Sequence, residues 1–261
     1  MPEADSIPLF LINLDSRADR LKKMISKLGD LPFERIAAVD GQNLDERGLV
    51  SPSARFRMAK NEIACILSHK LIWQKIVDDN IPYACVLEDD VHLSSSFPHF
   101  IRNPDWLPDN FTVIKIETFL ARVFLSRRKF PAGERLLRQL GSMHAGTAGY
   151  IISLEGAVNF LDSTQLPDSP LDHIMFEVMS INSGFKVLQM IPALCIQEDV
   201  LYQEVFASSD ITEARSRMRP KEKIDLLPKL WREIKRPYLQ LLSLLRVVRE
   251  NLIIVRNVPF S

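Results

Sequence analysis

Behind Pro82 an apolar run, Tyr83-Ala84-Cys85-Val86-Leu87, ends abruptly in three consecutive carboxylates, Glu88-Asp89-Asp90. Five apolar residues are too few for a helix and read as a strand buried on both faces, which points to an α/β protein. The carboxylates sit at the strand's C-terminal end, where open α/β sheets bind ligands. Side chains alternate along an extended chain, so Glu88 and Asp90 are expected on one side and Asp89 on the other. Three adjacent negative charges repel one another, more strongly near a sheet edge than in bulk water. A hard divalent cation, Mg²⁺ or Mn²⁺, held by one or two of them would relieve this and leave room for phosphate oxygens. A solvated acidic turn is the plain alternative on spacing alone.

The segments around this stretch fit a nucleotide-binding α/β unit. Ile7 to Asn13 is a second short strand, followed by Leu14-Asp15-Ser16-Arg17-Ala18-Asp19-Arg20, where Asp15 or Ser16 is expected to cap a helix running to about Lys27. Asn13, Arg17 and Arg20 are placed to meet the anionic or uracil end of a nucleotide, or else to form a helix face of Asp/Arg pairs. Ile36 to Val39 reads as a third strand. Residues 42–60, with Arg55, Arg57 and Lys60, read as a basic loop. From Asn61 to Asn80 the spacing of Ile63, Leu67 and Leu71, widened by Ile66, Trp73 and Ile76, predicts a buried helix. Cys65 and His69 lie four apart on it, but no further ligands at recognisable spacing support zinc.

Thr112 to Glu117 alternates as a strand, and Arg122, Arg127, Arg128 and Lys129 form a basic cluster ahead of an expected short helix. Gly141 to Gly149 is rich in small residues and leads into the strand Tyr150 to Ser153, a place where a ligand or another backbone can approach closely. No Walker-A lysine and no GxGxxG accompany it. Asp172 follows Pro167-Asp168-Ser169-Pro170 near a helix N-terminus, as a cap or as a base. Phe185 to Ile196 supplies a last strand, broken at Pro192.

Charge divides the chain. The 261 residues carry no net charge, which gives no pointer to nucleic acid. Yet residues 211–261 hold 12 Lys/Arg against 5 Asp/Glu. Residues 229–256 combine this charge with an apolar stripe and read as a basic amphipathic helix kinked at Pro237, for an anionic membrane surface, a partner, or packing on the domain. The expected division is a catalytic domain over 1–210 and a basic helical C-terminal extension over 211–261. Three cysteines, Cys65, Cys85 and Cys195, sit in apolar stretches and are expected to be reduced. The acidic N-terminus is unlike a secretory signal, and no run approaches ~18 apolar residues, so a cytoplasmic protein is expected.

Seven segments, in order, resemble glycosyltransferase family 25, the lipopolysaccharide or lipooligosaccharide glycosyltransferases of Gram-negative bacteria. They are Ile12 to Arg20, Ala38-Val39-Asp40-Gly41, Cys65-Ile66-Leu67-Ser68-His69, Val86 to Asp90, Gly146 to Ser153, Ser169-Pro170-Leu171-Asp172, and Pro192 to Gln197. The resemblance implies a GT-A-like α/β fold with a mixed central sheet, a nucleotide-sugar donor, commonly UDP-galactose, and transfer with inversion. It implies that Asp90, assisted by Glu88, holds Mn²⁺ or Mg²⁺ against the donor diphosphate, with Asp89 at the ribose. Asn13, Leu14, Arg17 and Arg20 match the donor-side motif. Asp172, then Glu117, are the candidate bases, and His144 and Thr147 are expected to shape the acceptor pocket. The acceptor implied is a saccharide on lipid A-core, at the inner face of the cytoplasmic membrane. Another nucleotide sugar on the same scaffold, or a catalytically silent saccharide-binding or membrane-assembly protein, are the competing readings.

Overall fold

The structure is a computed structural model that describes residues 6–45, 47–52, 54, 58–178, 184–206, 252–255 and 257–261. The expected α/β class is what is found. Arg55 and Arg57 of the basic loop, and residues 211–251 of the basic extension, lie outside the described residues.

The centre is an eight-stranded mixed sheet. In sheet order it runs β2 (Glu34–Ala37), β1 (Leu9–Asn13), β3 (Tyr83–Glu88), β10 (Gly149–Ser153), β5 (Val113–Lys115), β11 (Val187–Ile191), β9 (Arg135–Gln139) and β8 (Phe130–Ala132). Strands β2, β1 and β3 are parallel neighbours, and β10 enters antiparallel between β3 and β5. A smaller sheet joins β4 (Val91–Leu93), β12 (Cys195–Gln197) and β6 (Glu117–Thr118) beyond the tips of the central strands. The strand expected over Thr112 to Glu117 is thus two: β5 ends at Lys115, and Glu117 belongs to the second sheet.

Alternation along the central strands feeds two separate cores. Phe10, Ile12, Ala84, Val86, Tyr150 and Ile152 pack on one face, under the helices α2 (Lys60–Asp78) and α4 (Leu154–Ser163). Leu9, Leu11, Cys85, Leu87 and Ile151 pack on the other, with α1 (Ala18–Leu28) and α3 (Phe97–Arg102). A strand buried on both faces needs helices on both, which gives a three-layer sandwich. Among the described residues there are also the short helices α5 (Leu171–His173), continued by a wide turn Ile174–Val178, and α6 (Glu198–Phe206).

Several expectations are corrected in detail. Neither Asp15 nor Ser16 caps α1; the helix opens at Arg17, whose amide bonds Leu14 O. Helix α2 begins one residue before Asn61, and the Glu62 carboxylate receives the Ala59 amide at 2.7 Å. Its buried stripe runs through Ile63, Ile66, His69, Ile72, Trp73 and Ile76, while Leu71 is exposed. The stripe follows the three- and four-residue steps of a helix lying on a sheet, which carries His69 inward. No short helix follows Arg122 to Lys129. That region forms β7 (Val123–Ser126), β8 and β9, because its apolar residues alternate.

The helix expected over 229–256 does not continue to Arg256. Leu252–Val255 form β13, antiparallel to β7. Beyond it Val258 is fully buried, and Arg135 donates to Ser261 O at 2.7 Å. These residues return to the sheet domain.

Candidate active site

The parallel register sets Ile12 opposite Glu88, which brings Asn13 level with Asp89 at the ends of β1 and β3. Asn13 Nδ2 donates to Asp89 Oδ2 at 2.6 Å, and its Oδ1 accepts from Arg35 Nε. Arg20, in the first turn of α1, donates from Nη1 to Asp89 Oδ1 at 3.0 Å and to Asp90 Oδ2 at 3.1 Å. Glu88 belongs to the opposite face. Its Oε1 accepts from His69 Nε2 at 3.3 Å and from Thr147 Oγ1 at 2.8 Å.

Alternation therefore separates Glu88 from Asp89 as expected, while Asp90 meets both: its Oδ2 shares Arg20 with Asp89, and it lies close enough to Glu88 to feel its charge. The strand stops at Glu88, and the turn through Asp89 and Asp90 carries both carboxylates to Arg20. Burial, then the nearby charge of Glu88, pushes the Asp90 carboxyl up to about 6, against the pull of Arg20. Burial also works against the charge on Glu88, yet His69, Thr147 and Lys115 together hold it below the ordinary value. Asp90 Oδ1 is buried without a hydrogen-bond partner among the described residues. A cation is one group that could satisfy such an oxygen beside other negative charges, so the acidic tip fits a divalent ion. Asp199, in the first turn of α6, adds its charge to Asp90, and the Glu198 amide bonds Asp90 O at 2.8 Å. Sequence reading passed over this pair because it lies over a hundred residues from the triplet.

The remaining candidates divide. Arg17 pairs with Asp19 on the surface, and Leu14 supplies only its carbonyl to the turn. Thr147 is nearly buried and serves Glu88. His144 is interior, not part of an acceptor pocket: its Nδ1 bonds Gln189 Oε1 at 2.7 Å and its Nε2 accepts from the Phe119 amide. Burial, with help from the charge on Lys115, lowers it to about 3, so it is neutral.

Glu117 has no exposed surface and cannot meet an acceptor hydroxyl. Instead its Oε2 accepts from Lys115 Nζ at 2.8 Å and from the Ala148 amide at 3.0 Å, while Lys115 also donates to Gly146 O. Lys115 was the missed residue. The signal was present, since Lys115 and Glu117 are two apart in an alternating run and face the same way. Gly146 has φ +86, and a Cβ there would meet Glu117 Oε1 at 2.5 Å. Asp172 reaches the same loop from outside: its Oδ2 accepts from the Gly146 amide at 3.3 Å and its Oδ1 from the His173 amide.

Burial raises the Glu117 carboxyl to about 7, with Lys115 pulling it back. Such a carboxyl keeps its proton to higher pH when folded than unfolded. Its contribution to stability is full below the ordinary carboxylate range and is lost as pH rises through about 7. Urea unfolding between about pH 5 and 8 is expected to show wild type losing more stability with rising pH than Glu117→Gln. Parallel curves would reject this.

A layered α/β domain with an acidic cluster at its strand tips has its candidate site where open α/β sheets bind ligands. The comparisons with known proteins make the domain's class specific. Residues 6–175 match the family model described as glycosyltransferase family 25 (LPS biosynthesis protein). The lacto-N-neotetraose biosynthesis glycosyltransferase LgtB of Neisseria gonorrhoeae is 34% identical over 204 residues, 72% of this chain and 73% of the relative. LgtE of the same organism is 32% identical over 229 residues, 80% and 82% of the two chains. The lipooligosaccharide biosynthesis protein lex-1 of Haemophilus influenzae is 35% identical over 153 residues, 54% and 50% of the two. A crystal structure of a glycosyltransferase involved in glycosylation of the major capsid of PBCV-1 aligns with TM-score 0.40 at 10% identity, over 76% of this chain and 99% of that one. The chain belongs to glycosyltransferase family 25.

Proposed function

We propose that this protein transfers a hexose, with inversion, from a nucleotide sugar to a saccharide of lipopolysaccharide or lipooligosaccharide, using a divalent cation on a GT-A type domain. The bare Asp90 Oδ1 beside Glu88 carries the reading. Asp90 and Glu88 would hold Mn²⁺ or Mg²⁺, whose contribution is to neutralise charge developing on the departing nucleoside diphosphate. Arg20 and Asn13 fix Asp89, whose place at the end of β3 suits the donor's ribose. Asp172 is the base: it borders the Gly146 loop, and its two oxygens accept from the Gly146 and His173 amides, which fix the carboxylate in place. It takes the proton from the acceptor hydroxyl as that oxygen bonds the anomeric carbon and the bond to the diphosphate breaks. UDP-galactose as donor rests on the family resemblance, and lipooligosaccharide as acceptor on the named roles of the relatives.

Titration calorimetry with UDP-galactose and Mn²⁺ tests this. Heat abolished by EDTA and in Asp90→Ala is expected; donor binding indifferent to both would overturn the metal reading, and binding of saccharide alone would favour a silent binding protein. A panel of UDP-sugars assayed for slow hydrolysis identifies the donor.

No described helix is long and apolar enough to cross a membrane. The basic charge of residues 229–249 supports attachment to an anionic membrane face. Because residues 252–255 and 257–261 return to the domain, the test is charge removal, not truncation. Each basic residue near such a surface is worth about 1 kcal/mol. Replacing Arg232, Lys235 and Arg236 by Ser is therefore expected to weaken pelleting with anionic vesicles by about tenfold or more while sparing donor hydrolysis. Unchanged pelleting would reject membrane attachment.

A further inference from the structure

The hydrogen bonds under Glu88 have a direction, and it is set by an indole. Trp73 Nε1 can only donate, and it donates to the Tyr150 hydroxyl oxygen at 3.0 Å. Tyr150 is fully buried, and its own single hydroxyl proton meets His69 Nδ1 at 2.7 Å. Nδ1 therefore accepts. The neutral ring then carries its hydrogen on Nε2, which faces Glu88 Oε1 at 3.3 Å. The reverse arrangement, with Nδ1 donating to the phenol, leaves the Tyr150 proton without an acceptor in a site closed to water, which folded proteins avoid.

We propose that His69 is a positioning residue, a neutral donor fixed in one tautomer by Trp73 and Tyr150, whose task is to hold Glu88 Oε1 and so leave Oε2 for the cation. The proposal rests on the metal reading given above. Thr147 donates to the same Oε1, so both hydrogen bonds fall on one oxygen of a side chain that is 23% exposed. The tautomer also settles the cluster of Cys65, His69 and Glu88, whose ligand atoms lie within 4.8 Å of one another. A ring with hydrogen on Nε2 offers no lone pair toward the other two, so in this tautomer the histidine acts as a support for Glu88.

The geometry follows from the fold. Glu88 continues the face of Ala84 and Val86, Tyr150 lies on the same face of the neighbouring strand, and α2 crosses it with Trp73 and His69 one turn apart. Groups that orient metal ligands from behind typically change metal affinity roughly 10- to 100-fold when removed.

Two variants separate donation from packing. His69→Phe fills the space without a donor, and His69→Gln can still present an N–H near the place of Nε2. Mn²⁺ binding is read from the electron paramagnetic resonance signal of free Mn²⁺ in the presence of UDP, with melting curves as the check on folding. His69→Phe is expected to weaken Mn²⁺ binding by about tenfold or more, and His69→Gln to stay within about threefold of wild type. Wild-type affinity in His69→Phe, or equal losses in both, would overturn the role. Long-range ¹H–¹⁵N spectra of metal-free wild type read the tautomer independently: a protonated Nε2 with bare Nδ1 is expected, and a protonated Nδ1 overturns the inference. Wild type that binds no Mn²⁺ with UDP would overturn the metal reading itself, while the tautomer spectrum still judges the hydrogen-bond chain.

Discussion

Asp90→Asn is expected to cut turnover by about 10²–10³, the several kcal/mol that a bound cation supplies at roughly 1.4 kcal/mol per tenfold. The same change should leave the unfolding free energy unchanged or higher. In the folded protein the Asp90 charge is disfavoured by burial and by Glu88, so its carboxyl is raised from the ordinary value to about 6. At neutral pH the ionised group therefore costs stability, and a neutral amide can still offer Arg20 an oxygen. Loss of rate with no loss of stability is the signature of a residue kept for its ligand and not for the fold. Kinetics with saturating donor, beside urea unfolding of both proteins, measures the two halves. Retained turnover would remove Asp90 from the site; a large fall in stability would make it a structural residue.

Lys115→Met is expected to lower stability by about 3–5 kcal/mol, the cost of breaking a buried pair from one side. Both side chains of the Lys115–Glu117 pair are fully buried, and the ammonium also bonds Gly146 O, which loses its donor. Glu117 then keeps only the Ala148 amide, with its Oε1 already without a partner. Removing both charges together, as Lys115→Met with Glu117→Leu, should recover part of the loss, since the remaining group is no longer a stranded carboxylate. Denaturant unfolding at about pH 8, where Glu117 is ionised, measures this. A loss below about 1 kcal/mol in the single variant would show that water or a shifted proton replaces the lysine. Catalysis should suffer as well, because the Gly146 peptide held by Lys115 leads directly into Thr147, one of the two donors to Glu88.

Much of the site was legible in the chain because it is local. The strand Tyr83–Glu88, the acidic triplet, the Asn13 to Arg20 segment and the Gly146–Gly149 turn are each contiguous. An apolar run ending in charge, or a cluster of small residues before a strand, announces itself without tertiary information. The partners of those segments were less visible. His144 looked like an acceptor contact and is an interior brace for Phe119. Glu117 looked like a base and is the counter-charge of a lysine whose place in the core an alternating pattern only hinted at. The stripe on α2 was read correctly through Ile63, Ile66, Trp73 and Ile76, but it included the exposed Leu71 and missed His69, because both match the helical period and only the sheet beneath decides which side is inward.

The sequence by itself determined that β3 is buried on both faces, that three carboxylates stand at its tip, and that Glu88 and Asp89 part company there, since alternation is a property of an extended backbone. Only the tertiary structure decided that Asp90 turns toward Arg20, that Tyr150 and Trp73 orient His69, and that residues 252–255 and 257–261 come back to the domain, as a strand and then the buried Val258. Those outcomes depend on where a strand stops and on which distant side chain fills the space beside it, and neither is encoded in the spacing of neighbours.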